Sequence, residues 1–135
     1  NYSNLVSPDT VVIADPEQMK KVINNIISNS VKYMDKPDGH IDIRILDEVD
    51  SIQVEIEDNG KGIAQKDLQK IFERFYRTDA SRNSAQGGSG IGLSIVKKIV
   101  EDHGGYVWAT AKEGEGTCMH FVLRKYIELQ PGGTK

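Results

Sequence analysis

Long apolar runs are missing from this sequence. None approaches the ~20 residues that a membrane helix needs, so no segment reads as membrane-inserted. Cysteine is almost missing: Cys118 stands alone, can form no internal disulfide and sits in an apolar alternating run. It reads as a small core residue in a reduced, intracellular setting. A basic excess is missing too. Lys and Arg number 17 against 20 Asp and Glu, and a net charge of −3 leaves no footprint for nucleic acid or anionic membrane. His40, His103 and His120 are isolated, form no metal-spaced cluster and read as structural. There are no internal repeats and no low-complexity segment. The polar, uncharged start lacks a signal-peptide pattern, and without Met it is expected to be a fragment of something longer.

The 135 residues are enough for one domain, expected over 1–126, with 127–135 as a frayed tail through Pro131-Gly132-Gly133. Its most informative stretch is Asp58-Asn59-Gly60-Lys61-Gly62-Ile63. Ile52, Val54 and Ile56 alternate with Gln53, Glu55 and Glu57 before it, a half-buried strand. The strand delivers an acid into a turn with two glycines, where a ligand can lie against bare backbone. An ionised Asp58 only accepts hydrogen bonds, which suits a ligand NH group. Plain hairpin punctuation has the same composition, and the turn alone leaves both readings open.

Upstream, Thr10–Ala14 reads as a short strand and Asp15-Pro16-Glu17-Gln18 as a helix start. Asp15 is the N-cap, Pro16 takes the first helical position, and Gln18 can reach back as in a capping box. Met19, Val22, Ile23, Ile26, Ile27 and Val31 form an apolar face, and the helix should end near Met34 before the turn residues Lys36-Pro37-Asp38-Gly39. Asn25, Asn29 and Lys32 fall within roughly 60° of one another along one edge of that face, with Tyr33 following. Asn is a poor helix former, so two of them one turn apart suggest a site. Solvated helix positions would look the same, and Asn24 dilutes the signal.

Ile41, Ile43 and Ile45 alternate in a strand that should pair with 52–57 as an antiparallel hairpin. Gln65–Phe75 reads as a short helix. Thr78–Gly90 is a long polar loop, read as a lid. It ends in Gly87-Gly88-Ser89-Gly90-Ile91-Gly92-Leu93, which opens a helix stopped by Gly104-Gly105. A glycine-rich loop at a helix N-terminus offers NH groups to an anion, although a flexible hinge has the same pattern. It is neither a Walker A loop nor a Rossmann fingerprint. Tyr106–Lys112 and Thr117–Arg124 close the chain as strands, with Trp108, Met119, Phe121 and Leu123 expected to face a core.

An Asn/Asn/Lys helix edge, an Asp-x-Gly-x-Gly turn and a Gly-x-Gly-x-Gly loop in this order resemble the ATP-binding catalytic domain of sensor histidine kinases, in the Bergerat-fold superfamily. The resemblance covers about residues 10–125 and rests on Asn25–Tyr33, Asp58–Ile63, Phe72–Arg77, Gly88–Leu93 and the closing Gly114-Glu115-Gly116-Thr117. It implies a two-layer α/β sandwich, with a mixed five-stranded sheet and three helices on one face. It also implies ATP and Mg²⁺ as cofactors. Asp58 would accept from the adenine amino group and Asn29 would give an oxygen to Mg²⁺ with support from Asn25. Lys32 and Arg77 would neutralise phosphates, and Tyr33 would pack near them. Gly60, Gly62 and Ile63 belong to the first glycine box, and Gly88, Gly90, Gly92 and Leu93 to the second. Thr117 would hold water near Asp58.

The implied reaction is transfer of the γ-phosphoryl group to a histidine on a separate helical dimerisation and phosphoacceptor domain, expected just before residue 1. A response regulator would be served through the full protein. The resemblance places this domain in the cytoplasm, with the intact protein commonly anchored in the cell membrane. A hydrolysing ATPase switch and a purely nucleotide-binding module are the alternatives. Asn25 stands where gyrase-like ATPases carry a Glu, which argues against hydrolysis.

Overall fold

The computed structural model describes residues 2–8, 10–73, 92–112 and 114–126. Along the chain these form β1 (Tyr2–Asn4), α1 (Pro16–Lys32), β2 (Ile41–Asp47), β3 (Ser51–Asp58), α2 (Gln65–Leu68), α3 (Gly92–Asp102), β4 (Val107–Lys112) and β5 (Gly116–Arg124). The strands make one mixed sheet in the order β1-β2-β3-β5-β4. Among the described residues only β1 and β2 pair in parallel.

The alternation seen in the sequence sets the register. Ile52, Val54 and Ile56 of β3 lie opposite Leu123, Phe121 and Met119 of β5, and all six are buried. Ile56, Val54 and Ile52 also face Ile43, Ile45 and Asp47 of β2 in the expected hairpin. Val22 and Ile26 of α1 and Val96 and Val100 of α3 are fully buried and complete the helix side of the core. Burying one such side chain contributes about 1.5–3 kcal/mol.

The fifth strand is not Thr10–Ala14. That segment makes a single bridge, Val12 to Lys125, and Tyr2–Asn4 takes the sheet edge instead. In α1 the Asp15 carboxylate accepts from the amides of Glu17 at 2.9 Å and Gln18 at 3.4 Å, as an N-cap does. The return arm of a capping box is absent, because the Asp15 amide donates instead to His103 Nε2 at 3.1 Å. The apolar face of α1 is narrower than expected: Ile23 is 38% exposed and Val31 61%, while Ser30 is buried. At ~100° per residue Val31 falls about 180° round the helix from Val22.

The helix expected over Gln65–Phe75, whose last two residues lie outside the described ones, closes after Leu68 and continues as turns to Glu73, with the Lys70 amide on the Asp67 carbonyl and the Glu73 amide on the Lys70 carbonyl. Ala64 offers no capping side chain, and Ile71 and Phe72 are buried without helical hydrogen bonding. Helix α3 stops as expected, with Gly104 at φ 79° and the Gly105 amide on the Val100 carbonyl. The lid expected at 78–90 and the tail at 127–135 lie outside the described residues.

Trp108 does not face the core. It pairs with His120, so both sit on the face away from the helices, stacked at 4.8 Å with 3° between their planes. Cys118 is buried, but on that same outer face rather than in the core.

Candidate nucleotide-binding site

β3 buries every second residue, Ile52, Val54, Ile56 and then Asp58. The carboxylate thus arrives on the helix face of the sheet, at its end, with only 8% of the residue exposed. Its Oδ1 accepts from the Gly60 amide at 2.9 Å, which folds the turn back under it and leaves carboxylate lone pairs for a further donor. Thr117, also buried, lies directly across in β5. Gly116 precedes it at φ 125°, where a Cβ would sit 2.0 Å from the Asp58 carbonyl oxygen. Gly62 takes φ 76° and Ile63 is buried behind the turn.

The end of α1 forms the neighbouring wall. The Lys61 amide donates to the Tyr33 carbonyl at 3.3 Å, and a Cβ on Gly60 would meet that oxygen at 2.7 Å. The ammonium groups of Lys32 and Lys61 lie 5.3 and 5.0 Å from the centre of the Tyr33 ring, both in cation–π range. Asn25 donates from Nδ2 to the Lys21 carbonyl at 2.8 Å, and its Oδ1 lies 3.1 Å from where a Cβ on Gly92 would be. The Asn edge of α1 therefore faces the first turn of α3. Asn29 is half-buried one turn further on, with no hydrogen bond from its amide among the described residues. Leu93 packs partly buried against the core.

One corner of the molecule thus brings together Asn25, Asn29, Lys32, Tyr33, Asp58, Gly60, Gly62, Ile63, Gly92, Leu93 and Thr117. Arg77, Gly88 and Gly90 lie outside the described residues. The sequence family described as histidine kinase-, DNA gyrase B- and HSP90-like ATPases matches residues 14–127. The chain belongs to this family. Among relatives of this ATPase domain, it is 41% identical over 122 residues to the sensor histidine kinase WalK of Bacillus subtilis, covering 89% of this chain and 20% of that protein. It is 40% identical to the sensor protein kinase WalK of Staphylococcus aureus, over 81% of this chain and 26% of that one. The chain thus spans about a fifth to a quarter of these relatives.

Solved structures agree. A mycobacterial sensor histidine kinase, MprB, superposes with a TM-score of 0.78 at 31% identity, over 93% of this chain and 83% of that one. The nucleotide-free catalytic domain of the histidine kinase ThkA gives a TM-score of 0.75 at 28% identity, over 91% of this chain and 76% of that one. Full-length ShkA in complex with AMPPNP gives 0.75 at 25% identity, over 95% of this chain and 26% of that one.

A second group of donors lies on the outer face of the ATPase domain. Glu55, Cys118 and His120 bring three ligand-type atoms within 4.8 Å of one another. Their positive charge is already supplied. Arg44 donates to Glu55 at 3.0 Å and to Glu57 at 2.9 Å, and its Nη2 lies 3.9 Å from the Cys118 sulfur. Hydrogen bonds to both glutamates raise the Arg44 pKa further. Burial works against the Glu55 carboxylate, but hydrogen bonds from Arg44 and Gln53 and the His120 and Arg44 charges outweigh it and hold the pKa below the ordinary value. Burial, then Glu55 and Glu57, push the Cys118 thiol up to about 12. A protonated thiol beside a guanidinium is a poor metal ligand, so the group is a cross-strand ion-pair network.

Two features of the nucleotide corner escaped sequence reasoning. Lys61 is the variable residue of a glycine turn, and nothing in its type shows that it will lie on Tyr33. Lys36 reads as turn chemistry, yet its ammonium reaches the carbonyls of Gly60 and Gly114 across 24 and 78 residues. No local spacing reports such contacts.

Proposed function

We propose that this chain is the catalytic half of a two-component sensor kinase, a protein histidine kinase. In this reading residues 1–126 bind Mg²⁺-ATP, and 127–135 form a tail. The γ-phosphoryl group passes to a histidine on a separate helical dimerisation and phosphoacceptor domain, and from there to a response regulator. The observation that carries this reading is the buried Asp58 carboxylate at the end of β3, facing the helices opposite Thr117. There it accepts from the exocyclic amino group of adenine. Guanine presents a carbonyl at that position, so GTP is rejected.

The donor set fits magnesium. Mg²⁺ prefers oxygen and needs few protein ligands beside phosphate and water; Asn29 offers an amide oxygen, half-buried and without a hydrogen bond among the described residues. Bound there, the ion supplies charge neutralisation on the phosphates. Asn25, fixed through its amide nitrogen, supports Asn29. Lys32 and Arg77 meet phosphate oxygens, and Gly88, Gly90 and Gly92 let backbone NH groups approach them. Tyr33 packs beside the nucleotide, and Thr117 holds water near Asp58.

A neutral imidazole nitrogen is already a nucleophile, so the domain's work is positioning and charge stabilisation. Two of the chain's three histidines have both ring nitrogens engaged, which supports an acceptor elsewhere. His103 engages both ring nitrogens, with the Ile99 carbonyl at 2.7 Å and the Asp15 amide at 3.1 Å. His120 is held between Glu55 and Thr110. Hydrolysis is disfavoured because the amide of Asn25 cannot act as a base. No described helix is long and apolar enough to cross a membrane; a cytoplasmic location belongs to the sensor-kinase reading.

Calorimetric titration with non-hydrolysable ATP and GTP analogues, with Mg²⁺, tests the reading. The ATP analogue binds, and the GTP analogue binds at least about 100-fold more weakly. Asp58→Asn weakens the ATP analogue by about 30–100-fold, the loss of one charge-assisted hydrogen bond. Equal affinity for the two nucleotides would sink the assignment.

A further inference from the structure

The turn that carries Asp58 is held peptide by peptide. The Asn59 amide donates to the His40 carbonyl, the Gly60 amide to Asp58 Oδ1 and the Lys61 amide to the Tyr33 carbonyl, while the Lys61 carbonyl accepts from the Gly114 amide at 2.7 Å. Among the described residues the Gly60 carbonyl is held by the Lys36 ammonium at 3.0 Å, a side chain 24 residues away. The same ammonium donates to the Gly114 carbonyl at 3.1 Å and to Asp35 Oδ1 at 3.4 Å. An ammonium has three protons, and here each has an oxygen.

The three oxygens come from three walls of the proposed pocket: the segment after α1, the Asp58 turn and the β4–β5 hairpin. Lys36 keeps no proton for a nucleotide phosphate, because all three are spent on protein oxygens. The peptide it fixes joins Gly60 to Lys61. Gly60 has no Cβ to restrict it, and the peptide is pinned from both sides, its NH on the Tyr33 carbonyl and its carbonyl on Lys36. The Gly60 amide, the donor that aims Asp58 Oδ1, belongs to the same residue as the carbonyl that Lys36 holds.

We infer that Lys36 is a positioning residue for adenine recognition: it locks the Gly60–Lys61 peptide so that Asp58 presents its open lone pairs to the adenine amino group. The inference rests on the adenine-pocket reading of Asp58. Arginine is a poor substitute, because a planar fork cannot converge on three oxygens as an ammonium does. Glutamine retains two protons and partly replaces it.

The test measures the affinity of this chain for two probes, a non-hydrolysable ATP analogue and the same compound with hydrogen in place of the 6-amino group. Lys36→Met is expected to weaken the ATP analogue about tenfold and the deaminated analogue less than about threefold. Lys36→Gln, which keeps the segment folded should Met not, falls between wild type and Met on the first probe and matches wild type on the second. Equal losses for both probes, or wild-type affinity for both, overturn the role of Lys36 and leave a structural staple. Asp58→Asn run in parallel separates the two claims. If Asp58→Asn binds like wild type, the adenine pocket itself is wrong; if only the Lys36 variants do, the pocket stands and the positioning role falls.

Discussion

Gly114 and Gly116 both hold positive φ, at 80° and 125°, yet an added methyl group would meet different surroundings. At Gly114 there is open space; at Gly116 the Asp58 carbonyl oxygen is 2.0 Å away. Gly114→Ala should therefore cost about 1 kcal/mol, the backbone penalty alone. Gly116→Ala should cost about 3 kcal/mol or more and displace the turn that carries Asp58. Chemical denaturation of the two variants checks the contrast. Cys118 gives a second prediction at this scale. A buried thiol with its pKa pushed up to about 12 should resist iodoacetamide at neutral pH and react only in denaturant.

At the scale of elements, α1 and α3 are joined at one end by His103. Its Nδ1–H faces the Ile99 carbonyl, and its Nε2 accepts from the amide of the Asp15 cap. Asp15→Ala should lose about 1 kcal/mol as a missing N-cap. His103→Ala should lose a similar amount by leaving the Asp15 amide unpaired, and the double variant should fall short of the sum, since the two share a helix end. Thermal melts of the three proteins decide it.

The central hairpin, the last two strands and both long helices were legible because one buried face gives a clean period. Asp58 was legible for the same reason, as the next inward position after Ile56. Trp108 misled because bulk says nothing about which face of an edge strand a residue takes; register against His120 decides that. Val31 misled because apolar character was counted without its angle from Val22. β1 escaped because a three-residue parallel edge strand has too few positions to show a period, and its pairing with β2 is made across some 40 residues. The roles of Lys36 and Lys61 depend on tertiary approach alone.

The molecule as a whole has one helix-covered face and one face held by ion pairs. Glu55, side chain 15% exposed, lies at the centre of the second face between Arg44, Gln53 and His120. Its folded pKa lies below the unfolded value near 4.5, so its stabilising contribution is present above that pH and is lost as pH falls through the folded value. Glu55→Gln should therefore destabilise by about 1–2 kcal/mol at neutral pH and by less in acid, giving a shallower loss of stability below about pH 4.5. Denaturant titrations at a series of pH values read both slopes. The pairing of Asp58 with Thr117 across the sheet has a kinetic consequence. β2 and β3 can zip as a local hairpin, but Thr117 lies 59 residues beyond Asp58 and closes a far larger loop. The two halves of the pocket are therefore expected to meet late on the folding route, after the rate-limiting barrier. A nucleotide that needs both halves should leave the folding rate unchanged and slow unfolding, so that ATP acts on the lifetime of the finished domain rather than as a template for its assembly.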